Sequence, residues 1–458
     1  MTDLLAARSQ MAMSLAFHIL FAVVGIAMPL FMVIAERRWQ KTGDPVYLDL
    51  AKRWSKGTAI LFAVGAVSGT VLSFELGLLW PQFMEYAGPI IGMPFSLEGF
   101  AFFTEAIFLG IYLYGWDRVS PRMHLTSGIL VAISGAISGV FVVIANAWMN
   151  APTGFRVVDG VPVDIDPIAG MLNPATISQT VHMTIAAYTA TGFAVAGIHA
   201  YFLRRDPANV FHRYALSITL MVAVPAAIIQ PVSGHYSATV TAKTQPAKLA
   251  AMEGQFKTER GAPLRIGGIP DVETQTTKYA IEVPKLLSFL AFEDFNAEVK
   301  GLEAFPRDHW PPVMIVHFAF QIMVALGTYM ALVGLWVIWV GWRKGDGLFT
   351  NRPLLTAITI GAPMGFIAVE AGWTVTEVGR QPWVVYGYLK TADAVTSMPG
   401  LIVPFITFTI LYIFLGIIVV ILLYRQIIRS PKSTIPGAQI ETMPRQGTPM
   451  HDVEGAAS

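Results

Sequence analysis

The sequence predicts an all-α, polytopic membrane protein with nine transmembrane helices and its N-terminus outside. Hydrophobic residues make up 54% of the 458-residue chain and charged residues only 13%, whereas soluble domains carry about 25% charged residues. Nine apolar runs each approach the roughly 20 residues that a spanning helix needs. The formal net charge of +1 gives no reason to expect a nucleic-acid partner. These observations favour an integral membrane protein over a soluble enzyme.

Hydropathy places the predicted spans, in chain order, at 11–35, 57–79, 96–115, 125–148, 178–203, 214–233, 312–341, 353–375 and 398–424. The chain thus divides into helices one to six within 1–234, a polar loop at 235–310, helices seven to nine within 311–425, and a tail at 426–458. The loop is too long for an ordinary connection, so we expect it to be functional. The tail is poor in apolar residues, which predicts disorder.

Basic residues in the short loops predict the orientation. Most Lys and Arg residues outside the long loop lie between spans one and two, three and four, five and six, and seven and eight, or follow span nine. Such residues favour the cytoplasmic side. The N-terminus and the long loop are therefore predicted to face outward and the tail to face the cytoplasm. Asp3 precedes the first apolar run, and no small-residue cleavage site follows it, so we expect no cleaved signal.

The chain contains no cysteine. This excludes covalent c-type haem attachment, cysteine-ligated iron–sulfur clusters, disulfides and thiolate catalysis. Any redox cofactor must therefore be held by His, Met, Tyr or carboxylate side chains.

Six candidate functional residues lie within predicted spans and, with the predicted orientation, in the outer half of the bilayer. They are His18, Glu98, Glu105, His182, Met323 and Glu370. Ionisable residues are costly in hydrocarbon, so they mark functional sites by default. Their common depth favours one shared site.

His182 and Met323 suit the two axial positions of a low-spin haem b, because imidazole and thioether are its usual ligands. Met323 is also explained by packing alone, since Met commonly fills gaps. His199 and His317 compete as ligands. His18, on an otherwise apolar helix, suits either a metal ligand or a hydrogen bond between helices.

Glu98 and Glu105 are seven residues apart and so share one helix face. Two intramembrane carboxylates on one face favour a proton relay, with a structural Arg ion pair as the alternative. Glu75 is another acid, near the outer end of span two.

Acidic, basic and aromatic residues also meet at the outer boundary. Glu370 is followed by Trp373, Glu377, Arg380 and Trp383. Arg380 suits an anionic group such as a haem propionate, while an aromatic belt with a snorkelling Arg is the simpler interpretation. In the long loop, Lys248 and Glu253 fit a short amphipathic helix at the membrane surface.

At this point the sequence resembles subunit I of the bacterial cytochrome bd quinol oxidases over nearly its whole length. The matching segments are Val369–Trp373 (VEAGW), Gly379–Trp383 (GRQPW), Gly115–Arg118 (GWDR), Ala145–Met149 (ANAWM), Leu97–Gly99 with Phe102–Glu105, and Lys248–Glu253 (KLAAME).

The resemblance implies four-helix bundles with one peripheral helix, in the bacterial inner membrane. His182 and Met323 would ligate a low-spin haem b, Glu370 a high-spin haem b, and His18 a haem d or a third haem b. Glu98 and Glu105 would deliver protons, with Asn146 on the path. Lys248 and Glu253 would bind quinol in the loop, which the family calls the Q-loop. Around the haems would lie Arg8, Trp373, Glu377, Arg380 and Trp383.

The implied function is a terminal oxidase. Quinol, either ubiquinol or menaquinol, would be oxidised at the outer face, and dioxygen would be reduced to water with cytoplasmic protons. This would generate a membrane potential without a pump. The implied partners are a membrane-bound subunit II and a small single-helix subunit. Two alternatives stay open from the residues alone: a haem-bearing anchor linked to quinone, and a cofactor-free proton-coupled transporter.

Some positions depart from well-known members. Gln321 stands where they have Arg, and Phe74–Gly77 (FELG) replaces a more usual Phe-Gln-Phe-Gly. The loop is short, and Glu98 and Glu105 are one residue closer than in some members. Together these features look like the cyanide-insensitive oxidase branch.

Overall fold

The computed structural model describes residues 1–428. Within this range the chain is predominantly helical, and nine helical segments are long and apolar enough to cross a membrane. The predicted number of spans is therefore confirmed. The prediction of a disordered tail falls on residues outside the described range from 429 onward.

The helices are α1 (Asp3–Thr42), α2 (Pro45–Leu79), α3 (Pro81–Tyr114), α4 (Pro121–Asn150), α5 (Pro167–Met171), α6 (Thr176–Leu203), α7 (Val210–Thr244), α8 (Pro246–Glu253), α9 (Leu286–Phe292), α10 (Val313–Lys344), α11 (Arg352–Gly361), α12 (Met364–Val378), α13 (Thr391–Ala394) and α14 (Ile402–Ile428). Short 3-10 turns cover Leu302–Ala304, Arg307–His309 and Gly345–Phe349. The spans are α1–α4, α6, α7, α10, the pair α11 and α12, and α14.

Local chemistry sets many of the helix ends. The side chains of Thr2, Asp44, Ser120 and Asn209 accept hydrogen bonds from the first turns of α1, α2, α4 and α7, which satisfies amide groups that lack a helical partner. Pro begins α2, α3 and α4, where its missing N–H costs nothing. Helix α1 ends at Gly43, whose φ of 70° suits glycine.

Several spans are longer than predicted, among them α1, α2 and α7. In two further spans, proline residues lie where the structure departs from the prediction. Helix α3 begins at Pro81, well before the predicted residue 96, and runs through Pro89 and Pro94. Since the helix starts earlier, Glu105 lies past its midpoint. The prediction that Glu105 lies in the outer half of the bilayer stays a prediction. The eighth span is interrupted next to Pro363, which separates α11 from α12.

The spans form two four-helix bundles. Helices α1 to α4 pack around one another, and α6, α7, α10 and the α11–α12 pair form the second bundle. Helix α1 joins the bundles through α6, and α4 also contacts α6. Helix α14 packs against α1 and α2 at the periphery, as predicted. Buried side chains of α1, α6 and α12 meet between the bundles.

The connections contain five antiparallel strand pairs with strands of two or three residues. They are β1 (Arg156–Val158) with β2 (Val161–Val163), β3 (Glu259–Arg260) with β8 (Glu298–Val299), β4 (Leu264–Ile266) with β7 (Ile281–Val283), β5 (Ile269–Asp271) with β6 (Thr276–Lys278), and β9 (Trp383–Val385) with β10 (Leu389–Lys390). The registers pair Leu264 with Val283 and Ile269 with Lys278. The three pairs formed by β3 to β8 lie in the long loop.

Helix α8 lies in this loop, directly after α7 reaches Thr244. Every residue from Ala247 to Glu253 is buried, and α8 packs against α7 and α10. The expectation of an amphipathic helix lying on the membrane surface is therefore wrong, because this short helix has no solvated face. Lys248 and Glu253 are interior residues.

Candidate functional site

His18 lies on α1 and faces α2. Its Nδ1 atom is 3.0 Å from Ser68 Oγ, and that hydroxyl also lies 3.0 Å from the carbonyl oxygens of Val64 and Gly65. A Cβ on Gly69 would lie 3.0 Å from His18 Cε1, so the glycine makes room for the ring. The hydrogen bond at Nδ1 leaves Nε2 as the ring atom for a ligand bond, a common arrangement around metal-bound histidine.

His182 lies in the second turn of α6 and faces α7. Its Nδ1 atom is 3.0 Å from Ser233 Oγ, and Gln230 Nε2 lies 3.2 Å from each ring nitrogen. Gly234 again leaves room, because its Cβ would lie 3.3 Å from His182 Cε1. Hydroxyl contacts thus orient both His18 and His182, and in each case a neighbouring glycine admits the ring.

Met323 lies on α10 and faces α12. A Cβ on Gly372 would lie 3.0 Å from Met323 Sδ, so the glycine lets the thioether approach the helix that carries Glu370. Gln321, two residues before Met323, contacts the long loop: its Oε1 accepts from Gly267 N at 3.0 Å and its Nε2 donates to Arg265 O at 3.1 Å.

The chain neighbours of His18, His182 and Glu370, namely Ile19, Met183 and Val369, belong to one apolar cluster. Its buried members come from α1, α6 and α12, and Trp373 packs against it. The cluster comprises Ile19, Val23, Ile26, Ala187, Ala190 and Val369, with Leu15, Met183 and Ala186 at its edge. The structure therefore brings together residues that are more than 350 positions apart in the sequence.

Glu370 and Arg380 hold buried polar atoms without partners. Oε1 of Glu370 and both Nε and Nη1 of Arg380 lack a hydrogen bond among the described residues. Arg380 is 2% exposed, and its Nη2 donates to Glu377 Oε2 at 2.5 Å. Unpaired buried charge is costly, so these atoms indicate a missing anionic partner for Arg380 and a missing partner for the Glu370 carboxylate.

A chain of hydrogen bonds joins the loop to Arg380. Lys248 Nζ donates to Asn150 Oδ1 at 2.6 Å and to Thr376 O at 3.1 Å. Asn150 Nδ2 donates to Asn146 Oδ1 at 3.0 Å, and Asn146 Nδ2 donates to Glu377 Oε1. Glu377 in turn binds Arg380. We call these five residues the Lys248–Arg380 chain.

Glycine also shapes this chain. A Cβ on Gly379 would lie 3.0 Å from Lys248 Cγ, so the lysine passes closely over the end of α12. Burial, together with nearby Arg380, lowers the pKa of Lys248 well below its usual value.

Glu253 lies at the opposite end of α8. It is 3% exposed, and its Oε2 has no partner in the described part of the chain. Burial raises the pKa of Glu253 to about 8, against an opposing effect of Arg265. A carboxyl group with this pKa can take up and release a proton at neutral pH.

Glu98 and Glu105 line the interface of α3 with α4. Glu98 Oε1 accepts from Ser138 Oγ at 3.0 Å. Glu105 is buried between two glycines: a Cβ on Gly135 would lie 3.1 Å from its Oε1, and one on Gly25 would lie 3.9 Å away. Neither acid has an Arg ion pair among the described residues, so the structural ion-pair alternative finds no support.

Other predicted residues have different surroundings. Asn146 joins the Lys248–Arg380 chain rather than the pair of acids on α3. Trp383 contacts His309, with ring centroids 5.1 Å apart, and lies under Lys390. Arg8 is half-buried near the start of α1.

The competing histidines are occupied elsewhere. His199 Nδ1 lies 2.9 Å from His212 Nδ1 in the inner half of α6. His317 is fully buried, with its ring nitrogens 2.8 Å from Met252 O and 3.1 Å from Gly267 O. Both therefore serve packing contacts in this structure.

Several residues of the site were not predicted from the sequence. Ser68, Ser233 and Asn150 orient predicted residues, yet small polar residues on helices are common. Gly69, Gly234 and Gly372 could have been noticed in the sequence, because each lies inside a helix, where Ala would be more favourable. Only the packing reveals which side chain each one admits.

Comparison with known proteins shows which family the chain resembles. The family described as cytochrome bd terminal oxidase subunit I matches residues 6–431. A Bacillus subtilis (strain 168) protein whose name assigns it to subunit I of a cytochrome bd menaquinol oxidase is 41% identical over 93% of this chain and 96% of its own length. Cytochrome bd ubiquinol oxidase subunit 1 of the same organism is 31% identical, over 93% and 94%.

A solved structure shares the fold. The bd oxidase from Geobacillus thermodenitrificans superimposes with a TM-score of 0.88 at 38% sequence identity, covering 94% of this chain and 99% of that chain. The match extends over all the helices that carry the candidate residues. The chain therefore belongs to the family of cytochrome bd terminal oxidase subunit I, as a multi-pass membrane protein of electron transport.

Proposed function

We propose that this protein is the haem-bearing catalytic subunit of a terminal quinol oxidase. It would oxidise quinol at the outer face of the bacterial inner membrane and reduce dioxygen to water with cytoplasmic protons. The Lys248–Arg380 chain supports this proposal most directly, because it links a buried loop lysine to an arginine with unpaired donors at the outer end of α12.

The donor atoms of the site fit haem. His182 with Met323 would hold a low-spin haem b, Glu370 a high-spin haem b, and His18 a haem d or a third haem b. Nε and Nη1 of Arg380 are free to donate to propionates. When bound, haem supplies one-electron transfer and an open iron position for dioxygen.

At the quinol end, Lys248 and Glu253 would act on opposite sides of α8. Quinol oxidation releases two protons and two electrons. The carboxylate of Glu253 would accept the two hydroxyl protons in turn, passing the first to water before it takes the second, because its pKa of about 8 suits transfer at neutral pH. Lys248 would orient the other quinol oxygen by donating a hydrogen bond, while Asn150 and Thr376 O fix its ammonium group.

At the proton-delivery end, Glu98 and Glu105 would carry protons from the cytoplasmic side. Glu105 lies past the midpoint of α3 and Glu98 two turns further outward, beside Ser138. Protons taken from inside and released outside would generate a membrane potential without a pump.

The proposed oxidase also contains partner subunits. The family implies a membrane-bound subunit II, and we propose a small single-helix subunit as well. The names of the relatives include both menaquinol and ubiquinol, so either quinol is a candidate substrate.

Absorption spectroscopy of the purified complex tests the proposal. We expect a low-spin b band in the reduced-minus-oxidised spectrum and a second signal that carbon monoxide shifts. A far-red band would identify haem d at His18, whereas a carbon-monoxide-sensitive b band alone would identify a third haem b. A folded complex without haem would refute the proposal and favour a proton-coupled transporter. A single haem without carbon-monoxide reactivity would favour a quinone-linked anchor.

A further inference from the structure

Glu75 of α2 is a buried acid that the proposed mechanism does not use. It is 3% exposed and faces α1, where Gln10 Nε2 at 2.9 Å and Ser14 Oγ at 2.7 Å both donate to its Oε1. Its Oε2 has no partner among the described residues. One oxygen of the carboxyl group is therefore held by two donors, while the other is left without any.

This contact lies directly outward of His18. Ser14 precedes His18 by one turn on α1, and Glu75 follows Ser68 by two turns on α2, so the Ser14–Glu75 and His18–Ser68 contacts lie along the same seam. One turn advances about 5.4 Å along a helix. The Ser14–Glu75 and His18–Ser68 contacts are thus successive hydrogen bonds along the seam between α1 and α2.

Two opposing effects act on the charge of Glu75. Burial disfavours the carboxylate, and two donors on one oxygen favour it. The other described groups that face Glu75 are uncharged: Gln10, Ser14 and, from the peripheral helix α14, Tyr412, whose hydroxyl group is buried without a partner. A change of charge at the His18 position can therefore decide whether Glu75 is protonated.

Charged groups on the surrounding helices are further away. Along α1 the nearest are Arg8, toward the outer end, and His18 itself. Helix α3 carries Glu85, which is exposed, and then Glu98 and Glu105, which contact α4. Helix α7 packs against α2 at its inner end, where Tyr214 stacks on Tyr47. None of these forms an ion pair with Glu75.

We propose that Glu75 is a redox-linked proton-binding site of the centre held by His18. When that centre gains one electron, the Glu75 carboxylate binds one proton from water and becomes a carboxylic acid. When the electron leaves, the O–H bond breaks and the proton returns to water. This inference rests on the proposed function, because it requires a redox centre at His18.

The test uses the purified, haem-loaded complex and the variant Glu75→Gln. The amide keeps an oxygen for Gln10 and Ser14 but cannot titrate. We expect the midpoint potential of the His18 centre to fall less steeply with rising pH than in the wild type, and a carboxyl band to vanish from the redox-induced infrared difference spectrum. Glu85→Gln, which removes an exposed acid of α3, should leave both signals unchanged.

An unchanged pH slope and an unchanged infrared spectrum in Glu75→Gln would overturn the inference while leaving the oxidase proposal intact. Absence of haem from the wild-type complex would instead refute the oxidase proposal. If Glu75→Gln fails to assemble, Ser14→Ala decides. Removing one donor disfavours the carboxylate, so the pH range in which the potential changes should move upward. An unmoved range in that variant also contradicts the inference.

Discussion

The ammonium group of Lys248 lies 2.6 Å from Oδ1 of Asn150, although the two residues belong to different parts of the chain and are separated by 98 positions. Asn150 is the last residue of α4 and is 1% exposed. Its amide nitrogen donates to Asn146, so the side chain is fixed from both ends. Asn150 thereby sets the position of Lys248, and through it the geometry of the proposed quinol site.

Replacing Asn150 with Leu should impair quinol oxidation. The change removes one acceptor from a buried lysine, which costs about 1–3 kcal/mol, so kcat/KM for quinol should fall about tenfold or more. Reduction of the haems by dithionite should be unaffected, because dithionite bypasses the loop. Lys248→Ala should likewise slow quinol oxidation and leave reduction of the haems by dithionite unaffected. Wild-type quinol turnover in both variants would remove the Lys248–Asn150 pair from the substrate site.

Met323→Leu should abolish the low-spin haem signal. Leucine fills a similar volume but offers no sulfur ligand, so the haem should become high-spin or be lost. Met330→Leu is the matched control, since Met330 lies two turns further along α10 in the packed core. An unchanged low-spin spectrum in Met323→Leu would refute the ligand assignment.

Gly372→Ala should alter the same haem without touching a ligand. The added methyl group would lie 3.0 Å from Met323 Sδ, so the thioether must shift. We expect a perturbed low-spin band and a changed midpoint potential. Gly327→Ala, on α10 in a place where a Cβ meets nothing within 4 Å, should behave like the wild type. Identical spectra for all three proteins would argue against a Met323 contact at this position.

Glu253 should give quinol oxidation a characteristic pH dependence. Its pKa is raised to about 8, and only the carboxylate can accept a proton from quinol. The rate should therefore rise as pH increases through about 8, and fall below that range as the carboxylate is protonated. Glu253→Gln should oxidise quinol slowly at every pH, and its rate should no longer rise through pH 8. Glu293 is an exposed acid of the same loop, so Glu293→Gln should keep the rise in rate. A pH profile that is unchanged in Glu253→Gln would contradict the role.

The raised pKa of Glu253 also has a consequence for stability. The folded state binds a proton more tightly than the unfolded chain, whose Glu side chains titrate near 4.5. Stability should therefore decrease as pH rises from about 4.5 through about 8. In thermal unfolding, Glu253→Gln should be less sensitive to pH across this range.

Much of the fold follows from hydropathy alone, because each membrane span must satisfy its own backbone hydrogen bonds and expose apolar side chains to lipid. That constraint predicted nine spans and placed His18, His182, Met323 and Glu370 on them. It failed for the outer part of α3, where Pro89 and Pro94 mask a continuous helix, and for α8, whose charged residues suggested a surface location although Lys248 and Glu253 are buried.

Tertiary packing decided which residues act together. Composition alone limits the residue types available as ligands, because a chain without cysteine leaves only His, Met, Tyr and carboxylate side chains. The sequence could not show that Lys248 contacts Asn150, that Met323 packs beside Gly372, or that Glu75 accepts a hydrogen bond from Ser14. Those relationships depend on how helices rotate and approach one another, and close packing of distant side chains fixes that geometry.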